Sequence, residues 1–296
     1  MRIQIDPDLD TFLADHRVSG VPLLPTVMQL DLAARGLRAW TRSRPSTGTP
    51  AGVLMRGIRL GPPVRFDQPG TRDLDLVCTP APALTPGHGA LRCELRSPGQ
   101  LAPHLTVIAE RTAGSAPRLG LTGWTATPCG PGLVYPPFFH GPAFQVVAGF
   151  GRAGAGLAAS LASALPPVTW ASEPTVLRPQ LLELLLQCCG IHELARTGRM
   201  MVPAGIETVH WHPGSLAAGD GSMAMVRPRP GQPNVFDGQV VTPGGTVLVT
   251  VDGYQTTELD RPPDLAPAAR LARCLASHAS QARSAAELTI FEGASR

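Results

Sequence analysis

The 296-residue sequence contains no lysine; all 25 of its Lys+Arg positions are arginine. That absence excludes Schiff-base catalysis and the phosphate-gripping lysine of a P-loop. Charge of any kind is scarce, at 16% of residues against 43% hydrophobic, which is a globular balance and not a disordered one. The net charge of +3 is small and the arginines are dispersed, so no basic stripe for nucleic acid is visible. No apolar run reaches the length of a membrane span, and the opening Met1-Arg2-Ile3-Gln4-Ile5-Asp6 is unlike a signal peptide. The six cysteines (Cys78, Cys93, Cys129, Cys188, Cys189 and Cys274) lack metal-ligand spacing. Reduced, buried thiols in a cytoplasmic protein are the expectation.

What is present begins with one histidine and its surroundings, Asp15-His16-Arg17-Val18-Ser19-Gly20-Val21-Pro22-Leu23-Leu24-Pro25. Pro25 suits the first turn of a helix, where its missing N–H costs nothing, and an amphipathic stretch from Thr26 to Trp40 follows. Gly20 lets the backbone approach a bound group closely or take a positive φ. The segment therefore describes a histidine on a rigid approach to a helix N-terminus, where free N–H groups meet a polarised carbonyl.

The chain reads as two similar halves. The first has a short strand (2–6), the His16 loop, a helix (25–40) and strands over 53–60, 74–79, 90–96 and 105–111. Gly/Pro clusters such as Gly61-Pro62-Pro63 and Thr85-Pro86-Gly87 punctuate them. Residues 129–142 form a linker. The second half has strands over 144–150 and 156–162, a helix over 179–196, and strands over 206–211, 223–227, 235–241 and 247–258. Residues 261–296 are an Ala/Pro-rich peripheral tail with no chemistry in it.

The second helix carries a chemical anomaly. In Pro179-Gln180-Leu181-Leu182-Glu183-Leu184-Leu185-Leu186-Gln187, Glu183 and Gln187 share a face one turn apart on an otherwise apolar helix. A carboxyl held against apolar walls has its pKa raised, which favours the protonated form that a general acid requires. Gln187 is placed to bond that carboxyl and fix its direction. His210 and His212 alternate along a strand and face one way, but no third metal ligand is near, so structural roles are expected for both and for His192.

Three segments carry a family resemblance. His16-x3-Gly20-x4-Pro25, in the context Phe12 to Val18, resembles the N-terminal catalytic motif of polyketide synthase dehydratase domains. The Pro179–Gln187 stretch is similar to the family's Pro-x-x-Leu-Asp-x3-Gln pattern, with Glu183 where the family has aspartate. Phe138-Phe139-His140-Gly141-Pro142-Ala143-Phe144-Gln145 resembles its Gly-Pro-x-Phe-Gln motif, and the preceding Leu133-Val134-Tyr135 fits as well. Many modular members have tyrosine where His140 stands, so the variant looks closer to iterative or free-standing members.

The resemblance implies an α+β double hotdog: two antiparallel sheets, each wrapped around a central helix. The N-terminal hotdog would span 1–128 with His16, and the C-terminal one 143–260 with Glu183. It implies a dehydratase, a hydro-lyase that removes water from a 3-hydroxyacyl thioester on an acyl carrier protein in polyketide biosynthesis. His16 would abstract the α-proton and Glu183 would protonate the departing hydroxyl. Gly20, Pro25, Tyr135, His140 and Gln187 would line the substrate, although His140 reads equally as a satisfied structural histidine. No metal or redox cofactor is implied, since the phosphopantetheine arm arrives with the substrate. The expected partners are the carrier protein, other synthase components and a second copy in a homodimer. The glutamate leaves open an isomerase or oxygen-ring-forming cyclase, and a further alternative is a non-catalytic acyl-binding or dimerisation module. The start at Met1 close to the first motif favours a free-standing protein.

Overall fold

The computed structural model describes residues 1–42, 52–84, 89–119, 129–215, 221–260 and 265–277. Thr85-Pro86-Gly87, the 128/129 boundary of the first half and the end of the tail (278–296) fall on or beyond the edges of these ranges.

The first half contains β1 (Arg2–Ile5), a small hairpin of β2 (Arg17–Val18) and β3 (Val21–Pro22), and helix α1 (Thr26–Arg42). Strands β4 (Gly52–Leu60), β5 (Arg72–Ala81), β6 (Ala90–Arg96) and β7 (Leu105–Thr112) follow. The second half contains β8 (Val147–Ala153), β9 (Gly156–Leu161), α2 (Pro179–Thr197), β10 (Met201–Trp211), β11 (Met223–Arg229), β12 (Gln232–Val241) and β13 (Val247–Glu258). A last helix, α3 (Leu265–Ser277), ends the described chain.

All strands except the hairpin join one 11-stranded antiparallel sheet, ordered β1-β5-β6-β7-β4-β10-β13-β12-β11-β9-β8. The order is a repeat. From its centre outward the first half runs β4, β7, β6, β5, β1, and the second runs β10, β13, β12, β11, β9, with β8 as one further strand at its edge. The halves meet where β4 pairs with β10, with Ile58 opposite Ile206 and Met55 opposite Val209. The sequence pattern anticipates every one of these elements except the hairpin at 17–22 and the early start of β10. The residues around Phe144 form a short 3-10 turn (Pro142–Phe144) in place of the expected strand start.

Each half covers the apolar face of its sheet with its own helix, as a one-sided sheet requires. α1 buries a stripe that includes Val27, Met28, Leu30, Ala34 and Leu37, while its C-terminal end stays partly exposed. α2 is apolar nearly all round and buried along most of its length, consistent with a helix enclosed on every side. It starts with Pro179 at its first turn and stops at Gly198, whose N–H bonds the Leu194 carbonyl.

The expectation of reduced cysteines needs correction. Cys129 and Cys274 are joined in a disulfide, with Cα atoms 6.1 Å apart and a sequence separation of 145. A pairing across that distance has no signature in local spacing. It ties the tail to the start of the second half, and α3 lays Ala268, Leu271 and Leu275 into the core beside α2. Cys78, Cys93, Cys188 and Cys189 are free thiols. No helix among the described residues is long and apolar enough to cross a membrane.

Candidate active site

Two loops and one helix meet between the halves. The His16 loop leaves a 3-10 turn (Thr11–Asp15) and enters the β2–β3 hairpin. The second loop, residues 134–145, comes from the other half. They are stitched together by an isolated antiparallel bridge between His16 and His140. Asp15 makes the stitch firm: its carbonyl accepts the Gly141 N–H at 2.7 Å and its Oδ2 accepts the Ala143 N–H at 2.9 Å. The approach is close enough that a Cβ on Gly141 would sit 2.8 Å from the Asp15 Cα, so only glycine fits.

His16 is fixed by its own loop. Its Nδ1 lies 3.0 Å from the Leu23 carbonyl. A carbonyl only accepts, so Nδ1 carries the proton and Nε2 holds the free lone pair. The rings of Phe139, His140 and Phe144 surround the imidazole at centroid distances of 5.2, 5.6 and 5.7 Å. Burial, reinforced by the neighbouring His140, lowers the His16 pKa from 6.5 to about 4, although Glu183 and the Leu23 carbonyl act the other way. His16 is therefore neutral at physiological pH and able to take a proton at Nε2.

Glu183 projects from the first turns of α2 and is only 6% exposed, so it does not lie on a solvated edge of the helix. Its Oε1 lies 3.2 Å from His140 Nε2 and accepts a bond of 2.8 Å from Gln187 Nε2. The expected rise in its pKa is not what the structure gives. Burial alone would raise it, but the His140 hydrogen bond and charge, with His16 and Gln187, outweigh that and hold the carboxyl below the usual range. Sequence reasoning saw the apolar walls of the helix and missed the histidine that the other loop places against the acid.

Gln187 spends all its polar atoms on positioning. Its Nε2 also donates to the Phe144 carbonyl at 2.7 Å, and its Oε1 accepts the Tyr135 hydroxyl at 3.2 Å. Tyr135 in turn accepts the Val147 N–H at 2.7 Å, so Tyr135 braces Gln187 and Gln187 braces Glu183. Gly20 lies exposed at the hairpin tip with φ 81°, following Ser19 at φ 52°, and serves the turn. α1 begins at Thr26 and not at Pro25, whose carbonyl accepts the Met28 and Gln29 N–H groups.

Two buried carboxylates missed at the sequence level align the halves. Asp31 on α1 accepts the Trp170 indole N–H at 2.8 Å and the Val176 and Leu177 N–H groups at 2.7 Å each. Asp10 accepts the Ala171 N–H at 2.9 Å. Together they clamp the crossover that leads into α2, and so set where Glu183 stands relative to His16. The signal was available: Asp31, like Glu183, interrupts an apolar helix face. His210 and His212 face one way as expected, their rings 3.9 Å apart, and bond Thr112 and Thr250. No grouping of three or more metal-ligating side chains exists among the described residues.

A family model described as "Polyketide synthase dehydratase N-terminal domain" matches residues 133–266, which contain Tyr135, His140, Glu183 and Gln187. Over that segment the chain is similar to the polyketide synthase dehydratase family. No curated protein sequence matches it. Among solved structures, the chain resembles a trans-AT polyketide synthase dehydratase domain from Brevibacillus brevis, with 21% identity and a TM-score of 0.69 over 88% of this chain and 93% of that one. The dehydratase domain of PpsC from Mycobacterium tuberculosis, in complex with C12:1-CoA, is 22% identical, with a TM-score of 0.63 over 87% and 92%. The dehydratase domain of the CurK module of curacin polyketide synthase is 17% identical, with a TM-score of 0.67 over 87% and 92%. A histidine-to-phenylalanine and an aspartate-to-asparagine mutant of that CurK domain are both inactive. At these identities the structural likeness shows the fold alone, and the His16 loop precedes the segment that the family model matches.

Proposed function

We propose that the protein dehydrates a 3-hydroxyacyl thioester carried on an acyl carrier protein, giving the 2,3-enoyl thioester. One observation carries the reading: a neutral histidine with a free Nε2, from one half, is packed against an acid–histidine pair from the other. Water loss next to a thioester needs a base for the α-proton and an acid for the β-hydroxyl on one substrate. His16 is the base. The Glu183–His140 pair is the acid side, braced by Gln187 and Tyr135. The inactive histidine and aspartate mutants of CurK support this assignment, as does the acyl thioester held by the PpsC domain. We read the two helix-on-sheet halves, with their matching strand order, as two hotdog units whose shared boundary forms the site. The phosphopantetheine arm comes with the substrate, and no further cofactor enters the scheme.

The test is incubation of the protein with 3-hydroxyacyl thioesters on pantetheine and on carrier protein, with product identified by mass spectrometry. Loss of water to an enoyl thioester is expected. A parallel incubation with 2-enoyl thioesters, some bearing an internal hydroxyl, separates the rivals: double-bond migration or ring closure without dehydration overturns the proposal in favour of an isomerase or cyclase. Binding without turnover in every case overturns it in favour of an acyl-binding module.

A further inference from the structure

We infer that the group delivering the proton to the departing hydroxyl is the His140 imidazole, with Glu183 acting as its carboxylate partner and not as the direct donor. The inference rests on the dehydratase reading and assigns its acid step. Four observations lead to it. His140 Nε2 is already engaged by Glu183 Oε1 at 3.2 Å, and both side chains are 7% exposed. The other ring nitrogen, Nδ1, is buried with no hydrogen-bond partner. A buried polar nitrogen without a partner is costly, and a bound group that accepts from it removes that cost. Finally, Oε1 of Glu183 is shared by His140 and Gln187, and the carboxyl is held in its ionised form, so it has no proton of its own to give.

The ring is well held for such a role. Phe139 stacks on it at 4.5 Å, Phe138 lies at 5.8 Å, and His16 faces it at 5.6 Å. The extra methylene of Glu183, relative to the aspartate of the family pattern, extends the carboxyl towards a histidine in the place where modular members carry tyrosine. The two departures from the pattern are therefore one arrangement, a carboxylate–imidazole dyad.

The step balances as follows. His140 enters as the imidazolium, with Nε2–H bonded to Glu183 and Nδ1–H directed to the β-hydroxyl. His16 Nε2 takes the α-proton, and the electron pair left at the α-carbon forms the new double bond. The β-carbon–oxygen bond breaks with its electrons going to oxygen, which takes the Nδ1 proton and leaves as water. His16 ends protonated and His140 neutral, and the original state returns by proton exchange through water.

The experiment compares wild type with His140→Ala, His140→Asn and Glu183→Gln, using a 3-hydroxyacyl pantetheine thioester in deuterated buffer. Deuterium entry at the α-carbon reports His16, and enoyl formation reports the complete reaction. Both His140 variants should keep α-exchange within a few-fold of wild type while enoyl formation falls about a hundredfold or more. Added imidazole should restore dehydration to His140→Ala but not to Glu183→Gln. Enoyl formation within a few-fold of wild type in His140→Asn overturns the inference and leaves the dehydratase reading standing. If His140→Ala is unfolded by circular dichroism, the near-isosteric His140→Asn decides alone. Wild type that neither exchanges nor dehydrates overturns the dehydratase reading itself, and the role of His140 with it.

Discussion

The two halves share a strand order and put it to different uses. Each central helix has a proline near its start and a buried polar residue four positions later: Pro25 and Gln29 in the first half, Pro179 and Glu183 in the second. In the first half that residue is an amide, which cannot ionise, and Gln29 simply donates to the Leu24 carbonyl. The ionisable group of that half sits instead on the loop before the helix, at His16. In the second half the helix itself carries the carboxyl, and the loop before β8 (134–145) reaches back to the His16 loop. A repeat that keeps its frame while placing the proposed base in one copy and the proposed acid in the other would make a site that neither half contains alone.

The largest effect should come from removing the base. His16→Phe is expected to lower kcat for dehydration on the order of a thousandfold, with KM changed by a few-fold, because a positioned general base contributes about 10²–10⁴ in rate. Steady-state kinetics on the 3-hydroxyacyl thioester reads this directly. Activity near wild type would show that the first half supplies only a wall.

Breaking the clamp between the halves comes next. Asp31→Ala leaves the Trp170, Val176 and Leu177 donors without their acceptor in a buried setting. The expected loss is about 3 kcal/mol of unfolding free energy, since each stranded buried donor costs about 1–3 kcal/mol and part of that is recovered by relaxation. Urea unfolding measures it, and a loss under about 0.5 kcal/mol would mean that the crossover is held by other contacts.

A finer cut tests whether the second half is tuned to its own acid. Glu183→Asp restores the residue of the family pattern, yet it should reduce kcat roughly ten- to a hundredfold. Its carboxyl is drawn back by about 1 Å from His140, and misplacements of that size carry such costs. An unchanged or faster enzyme would show that the glutamate is an incidental substitution.

The fold was largely legible because periodicity and turn residues repeat along the chain. The run Leu181 to Ile191 has only two polar interruptions, Glu183 and Gln187, and marks a fully enclosed helix; both interruptions are buried and bonded to each other. Two features were not legible, for different physical reasons. The disulfide joins Cys129 and Cys274, and a contact between residues so far apart leaves no local trace. The Glu183 pKa was misjudged because desolvation can be read from a helix face, whereas its countering charge, His140, comes from a loop whose path only the tertiary structure reveals. The bracing role of Tyr135 was hidden for the same reason.

The smallest effect concerns acid stability, and it again separates the halves. Burial lowers the pKa of His16 to about 4, and burial with the charge of His210 does the same for His212. Between about pH 6.5 and 4 the unfolded chain binds protons at these histidines that the folded chain refuses, so stability falls as pH falls through that window. Each histidine contributes a slope of at most about 1.4 kcal/mol per pH unit. The lowered carboxylates, Glu183 and Glu173 among them, act in the same sense only below their ordinary value of 4.5, where stability present at higher pH is lost as they take protons. Asp31, raised by burial, runs the opposite way. Urea midpoints measured at about pH 7.5, 6 and 5 should therefore decline mainly through histidine. His16→Phe, which removes one titrating group from the junction, should show a shallower decline than wild type over this range. His212→Asn should do the same from the far end of β10, without the loss of turnover. If His16→Phe leaves the slope unchanged, His16 is solvated in the folded chain, and its role as a neutral base set between the two halves fails with it.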